Sequence, residues 1–337
     1  MTENEQQPID FLAIGDIVTD AFIRVKNAKV EGSMDSENRL LCFSFGDKIP
    51  YEFVEEVKAV GNSPNASVSA ARLGLRSALM AEVGDDQEGR DCLEALRENG
   101  VSDEFMNVHQ GFKTNYHYVL WYEDERTILV KHEEYPYQLP RMEPPPRWIY
   151  LSSLAENSLE YHDAIADYVR EHPEVKLVFQ PGTFQMRLGY ERLKELYQQS
   201  HLFFCNTEEA HRILGLKERV EMPELLKRTH ELGPEIVIIT DGPKGAYSYH
   251  EGEVWFMPPY PDPAPPYDRT GAGDSFASTL TSFLALGESV PEALRRAPIN
   301  SMSVVQEVGA QRGLLTREKL EEYLEQAPED YQLQKLQ

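Results

Sequence analysis

The sequence predicts an α/β protein: a central, mostly parallel sheet flanked by helices, with a small β lid set apart from it. Three observations carry this expectation. Short β-rich apolar runs alternate with longer stretches of helical period along most of the 337 residues, as in a parallel sheet covered by helices. Two stretches break that alternation with β-prone runs of their own. A chain of this length buries roughly 75% of its unfolded-state surface, so a large sheet core is within reach.

The elements follow in order. FLAIGDIV, from Phe11, opens as a strand. The first interruption runs from about Ala21 to Val60, where AFIRV gives way to a polar segment and then LLCFSF. Asn65 to Gly74 is a helix of small residues closed by glycine. SALMAEVG is a strand, and Glu88 to Asn99 carries Leu93 and Leu96 at helical spacing before Gly100 ends it. The second interruption, TNYHYVLWYEDERTILVKHEE, holds two β-prone runs around the turn Glu123-Asp124-Glu125, a hairpin pattern. WIYLSS, VKLVFQPG, HLFFCN and EIVIIT are continuous apolar strands of the buried type. Helical patterns near Leu159–Arg170, Arg187–Gln198 and Thr207–Leu214 separate them. The proline-rich stretches Leu139–Pro146 and Pro258–Pro266 are stiff connections. One domain is expected over 9–330, with the lid drawn from about 21–60 and 112–134.

The formal net charge of −24 argues against nucleic acid and anionic membranes, since both require basic surface. No apolar run approaches the ~20 residues of a membrane span. The polar, acidic start MTENEQQPIDF does not read as a signal peptide, so the cytoplasm is the expected compartment. Cys42, Cys92 and Cys205 match no metal or redox spacing. Cys92 and Cys205 lie in apolar-periodic segments and are expected in the core.

One segment carries chemistry. DRTGAGD, from Asp268 to Asp274, precedes the helical pattern SFASTLTSFLALG. A glycine-rich turn opening a helix points backbone N–H groups and the positive end of the helix dipole at one spot, which suits a phosphate. The Asp274 carboxylate would repel that phosphate. Phosphoryl transfer gives it a purpose, because a base must take the proton from the attacking hydroxyl. The competing reading is that Asp274 caps the helix. A dinucleotide fingerprint fails, since its last glycine would fall on Phe276, and no GxxxxGK[ST] loop exists.

The loop resembles the D-T-x-G-A-G-D signature of the ribokinase-like (PfkB) carbohydrate kinase family, and other motifs follow in the same order. GNSPNA from Gly61, then Gly74 and Gly84, is similar to the family's N-terminal glycine motif, and VGDD from Val83 with Gly89 to its continuation. NTEE from Asn206 to Glu209 resembles N-x-x-E, and TDGPKG from Thr240 the nucleotide loop T-x-G-x-x-G. The likeness spans about Phe11 to Leu324. It departs at Val60 (usually Gly), Arg269 (usually Thr or Ser) and Thr279 (usually Gly or Ala).

The resemblance implies a ribokinase-like fold and an ATP-dependent phosphotransferase acting on a hydroxyl of a small sugar-like substrate. A nucleoside kinase of the same family, or a non-catalytic sugar- or nucleotide-binding regulator, are the alternatives. Asp274 becomes the base, and the N–H groups of Gly271, Ala272 and Gly273 stabilise developing charge. Asp20, Gly61 and Asn65 match substrate positions, although Asn65 also suits a helix N-cap. Asn115 and His117 share a strand face and are the lid residues expected to reach substrate, with Lys131 and His132 nearby. Thr240, Gly242, Gly245 and Asn300 match the nucleotide side, while Lys244 reads as a solvated turn lysine. Asn206 and Glu209 match residues acting on Mg²⁺, largely through water, although both also suit a helix N-terminus. Asp268 matches a position that helps hold a monovalent cation such as K⁺. An already phosphorylated sugar would need a basic pair, for which Arg24, Lys48, Arg126 and Lys131 are the visible candidates. Tyr116, Tyr118, Trp121 and Tyr122 read as a packed lid face, and an exposed lid edge invites a homodimer.

Overall fold

The computed structural model describes residues 7–32, 39–123 and 125–336. Asp124 of the expected hairpin turn, residues 33–38 of the first lid stretch, and the first six residues read against a signal peptide lie outside them. The chain begins with β1 (Phe11–Ile14), followed by a first excursion of β2 (Val18–Val25), β3 (Lys29–Glu31), β4 (Leu40–Cys42) and β5 (Tyr51–Val60). It returns through α1 (Asn62–Arg72), β6 (Ser77–Gly84), α2 (Gln87–Glu98) and β7 (Ser102–His109), then leaves again as β8 (Tyr116–Tyr122) and β9 (Glu125–Leu129). The next units are β10 (Trp148–Leu151), α3 (Leu159–Glu171), β11 (Lys176–Phe179), α4 (Thr183–Leu188), α5 (Tyr190–Gln199), β12 (Ser200–Asn206), α6 (Thr207–Ile213) and α7 (Met222–His230). β13 (Ile236–Thr240), β14 (Ala246–His250), β15 (Glu253–Met257), α8 (Ala272–Ala285), α9 (Val290–Val304), α10 (Arg317–Glu325) and β16 (Gln334–Lys335) complete the order.

Ten strands form the main sheet in the order β16-β15-β14-β13-β12-β11-β10-β1-β6-β7. From β7 across to β13 every pairing is parallel, with Leu12 opposite Ile149 and Ala13 opposite Leu79. β14, β15 and β16 add on antiparallel. The continuous apolar runs have a simple cause: both faces of each strand are covered. Phe11, Leu79, Phe204 and Ile238 point to the face covered by Phe276, Leu280, Phe283 and Leu294 of α8 and α9. Leu12, Ile149, Phe179 and Ile239 point to the other, against Ile165, Leu196 and Leu225 of α3, α5 and α7. Cys92 and Cys205 are buried, one in each layer.

The lid is a four-stranded sheet in the order β5-β2-β8-β9. It begins at Val18, three residues before the expected Ala21, because FLAIGDIV is not one strand. The chain leaves the main sheet at Gly15–Ile17, where Asp16 N donates to Ser153 O at 2.9 Å and Thr19 N to Asn115 O at 3.1 Å. Asp16 and Asp20 therefore flank the joint between sheet and lid. Among the described residues, no helix is long and apolar enough to cross a membrane.

Candidate active site

Asp274 is the third residue of α8, whose N-cap is Gly271 at φ 80°. That left-handed backbone suits glycine, and a Cβ there would overlap the Ala310 side chain. Asn62 Nδ2 donates to Asp274 Oδ1 at 2.7 Å and Asn65 Nδ2 to Oδ2 at 2.9 Å, with Gln180 Nε2 at 3.5 Å from Oδ1. Asn62 and Asn65 lie three residues apart, on one face of α1. Gln311 donates to Asn65 Oδ1 at 3.0 Å and to Ala59 O at 2.8 Å, which fixes the direction of the Asn65 amide. Capping explains none of this. The Asp274 oxygens face side-chain amides of other elements, and α8 has no side-chain cap bond. Asn65 lies inside α1, whose N-cap is Gly61, so its capping role falls too. Burial of Asp274, only 8% exposed, pushes its pKa above the ordinary carboxylate value, and the three amides oppose that rise.

A cavity of about 420 Å³ opens beside the N-terminus of α8. Thr240, Gly242, Gly245, Ala272, Gly273 and Arg269 line it, with Tyr260, Phe276, Pro298, Met302 and Val305 as apolar wall. Asn300 corrects an expectation. It is fully buried, donates to Thr279 Oγ1 at 2.8 Å and accepts from Leu315 N at 2.9 Å. Its neighbours Pro298 and Ser301 reach the cavity instead. The unusual Thr279 is thus the partner of Asn300. Lys244 is an exposed turn lysine paired with Asp241.

At the sheet–lid joint four polar side chains converge. His132 Nδ1 lies 3.1 Å from Asp16 Oδ2, and His117 Nδ1 3.4 Å from Asp20 Oδ1. The two imidazole rings are 5.2 Å apart. Asp16 Oδ2, Asp20 Oδ1, His117 Nε2 and His132 Nδ1 are buried without an aligned hydrogen bond among the described residues. Gly61 packs here as well, since a Cβ on it would stand 2.8 Å from Asp16 O. Asn115 does not join this group. It is 1% exposed, donates to Ile17 O at 3.3 Å and accepts from Glu133 N at 2.8 Å. Both ends of its amide pin backbone, which corrects its expected substrate role.

The expected metal positions look different in the folded chain. Asn206 and Glu209 form a reciprocal capping box at the start of α6, each side chain accepting the other's backbone N–H at 2.9 Å. Burial pushes the Glu209 carboxyl up, and Asp274 adds to it. Asp268, 1% exposed, accepts from Thr270 N at 2.7 Å and Gly309 N at 2.8 Å. Its countercharge is Arg126 of β9, with Nη1 at 2.9 Å from Oδ1. A guanidinium therefore stands where K⁺ was expected.

Residues 45–317 match the model of the pfkB family carbohydrate kinases. The chain belongs to that family. The kinase is 30% identical over 271 residues to a ribokinase of Bacillus subtilis, covering 78% of this chain and 87% of the relative. It is 24% identical to a 5-dehydro-2-deoxygluconokinase of the same organism, covering 96% and 98%. The fold is shared with Arabidopsis thaliana ribokinase in complex with ribose and ATP, at 18% identity and TM-score 0.78, covering 94% and 99%. It is shared equally with a nucleoside kinase of Methanocaldococcus jannaschii, at 18% identity and TM-score 0.77, covering 95% and 99%. Asn62, Gln180, Gln311 and Asp16 escaped the sequence reading of this kinase. Asn62 alone left a local signal, three residues from Asn65 on a helix.

Proposed function

We propose that this carbohydrate kinase transfers the γ-phosphoryl group of ATP to a hydroxyl of an uncharged, polyhydroxylated sugar, with Asp274 as general base. One observation carries the reading. Asp274 is a buried carboxylate held, among the described residues, by side-chain amides alone, at a helix N-terminus beside a cavity. The adenine ring would lie against the apolar wall near Tyr260 and Met302, and the phosphates would run toward Gly271–Gly273. Arg269 lines the same cavity and adds positive charge. Asp274 takes the proton of the acceptor hydroxyl as that oxygen attacks in line, and the helix N–H groups bind the charge developing on the phosphoryl oxygens. Mg²⁺ would neutralise the phosphates. Among the described residues no three acidic, His or Cys side chains form a metal cluster. Asn206 and Glu209, both oxygen donors, fit an ion held mostly by phosphate and water.

The acceptor class follows from charge. Asp16 and Asp20 offer lone pairs to hydroxyl protons, and His117 and His132 can serve either way. A phosphorylated sugar would meet two carboxylates, and of the four basic residues weighed for it three are already engaged. Arg24 bonds Glu123 O, Arg126 pairs with Asp268, Lys131 with Glu133, and Lys48 is exposed on the lid. The outer lid face would pair with a second copy of the chain. The decisive experiment is Asp274→Asn with a panel of sugars and nucleosides and labelled ATP. Turnover should fall by ~10²–10⁴-fold while the fold and ATP binding persist. Near-normal turnover would remove Asp274 as the base, and a preference for nucleosides would overturn the sugar assignment.

A further inference from the structure

The buried carboxylate of Asp268 organises the anion-binding loop from within. It ties Thr270 N to Gly309 N, and its own backbone N–H donates to Val305 O at 3.1 Å. These bonds draw the loop, the end of α9 and the 309–310 turn together, and Ala310 of that turn packs on Gly271. An ionised carboxylate this deeply buried needs a countercharge. Here the lid provides it. Arg126 comes from β9, its guanidinium 2.9 Å from Asp268 and only 11% exposed as a side chain. It lies 4.9 Å from the Trp121 ring and 5.8 Å from Phe22, both lid residues. The contact is part of a seam. Trp121 meets Tyr267 edge-on at 5.6 Å, and Arg312 pairs with Glu55 of β5.

We infer that Arg126 is a positioning residue: a lid-borne guanidinium that serves as the built-in cation of the Asp268 loop and couples lid docking to the geometry of the anion hole. The loop that must present its N–H groups to phosphate is charge-balanced only while the lid hairpin is in place. A monovalent ion has no carboxylate left to neutralise there, so turnover should not depend on one. The inference rests on the kinase reading above, and its structural half can be tested without any sugar.

The variant Arg126→Met keeps the packing against Trp121 and Phe22 and removes the charge. Hydrogen exchange of residues 268–275, measured without ATP or acceptor, should speed up in the variant relative to wild type. Steady-state turnover of the variant should fall by about 10²-fold, the order expected for a displaced catalytic frame, with the ATP KM moving far less than kcat. Wild-type turnover should be the same in potassium or choline salts. In Arg126→Ala, added guanidinium ion should restore part of the lost kcat by entering the vacated place. Loop exchange and kcat like wild type in Arg126→Met would overturn the inference, as would a wild-type enzyme that requires potassium. A wild type inactive on every sugar would defeat the functional reading alone, because the exchange comparison still decides the role of Arg126.

Discussion

If Asp274 is the base proposed above, two requirements pull on it in opposite directions. A base must be ionised to accept a proton, yet burial and the adjoining phosphate site favour the neutral acid. Among the described residues three amides and no cation hold this carboxylate, which would leave the proposed base basic enough to take a proton. The conflict has a consequence for stability. Its folded-state pKa lies above the unfolded value, so the folded chain binds the proton more tightly. The stability this lends is complete below about pH 4, the unfolded carboxylate value, and is lost as pH rises through the folded one. Asp274→Asn does not titrate there, so its melting temperature relative to wild type should climb as pH goes from 4 to 7. Calorimetry of both proteins across that range tests this, and a constant difference would mean the buried carboxylate is unperturbed. Residue type announced Asp274 but not its partners. Asn65, Asn115 and Asn300 look alike in sequence as polar residues in apolar surroundings. Only the fold decides that Asn65 faces Asp274 while the other two satisfy buried protein groups.

Between elements, the pairing of α8 with α9 holds the cavity in shape. Asn300 links Thr279 on α8 to the backbone of Leu315 before α10. Asn300→Ala would leave a hydroxyl and an N–H buried without partners. It should cost about 1–3 kcal/mol of stability and leave the ATP KM nearly unchanged. Urea denaturation beside an ATP titration checks both; a large loss of ATP affinity at full stability would return Asn300 to the nucleotide site. β7, half-exposed at the sheet edge, carries no apolar run and went unread, whereas the other parallel strands were legible because burial on both faces leaves one. β14 and β15 were not, since AYSYH and EVWFM mix polar and aromatic residues and follow a glycine turn already assigned to the nucleotide. β1 and β2 were merged because the polar joint at Asp16 is too short to break a pattern. A joint like that, where one strand leaves one sheet for another, is set by contacts with Ser153 and Asn115 far along the chain.

For the whole molecule the lid poses a problem of exposed surface. Its inner face carries His117, Val119 and Trp121, while Tyr51, Phe53, Val54, Tyr118, Ile128 and Leu129 are exposed. β5 and β9 are also unpaired edges of a four-stranded sheet. Apolar groups of this size beside open edges favour self-association. The net charge of −24 opposes it, because two copies repel. Repulsion acts over a distance set by salt, about 8 Å at physiological ionic strength and longer in dilute buffer. Apolar burial carries no such dependence. Sedimentation at micromolar concentration should therefore find a dimer that loosens as salt is lowered, the reverse of a contact built on ion pairs. Tyr118 and Leu129 stand opposite each other on the lid face turned away from Arg126 and His117, so Tyr118→Lys and Leu129→Lys should each yield a monomer that still melts cooperatively. A wild-type monomer at every salt concentration would show that the lid face stays open. A dimer that tightens as salt falls would place the contact on charged surface elsewhere on the molecule.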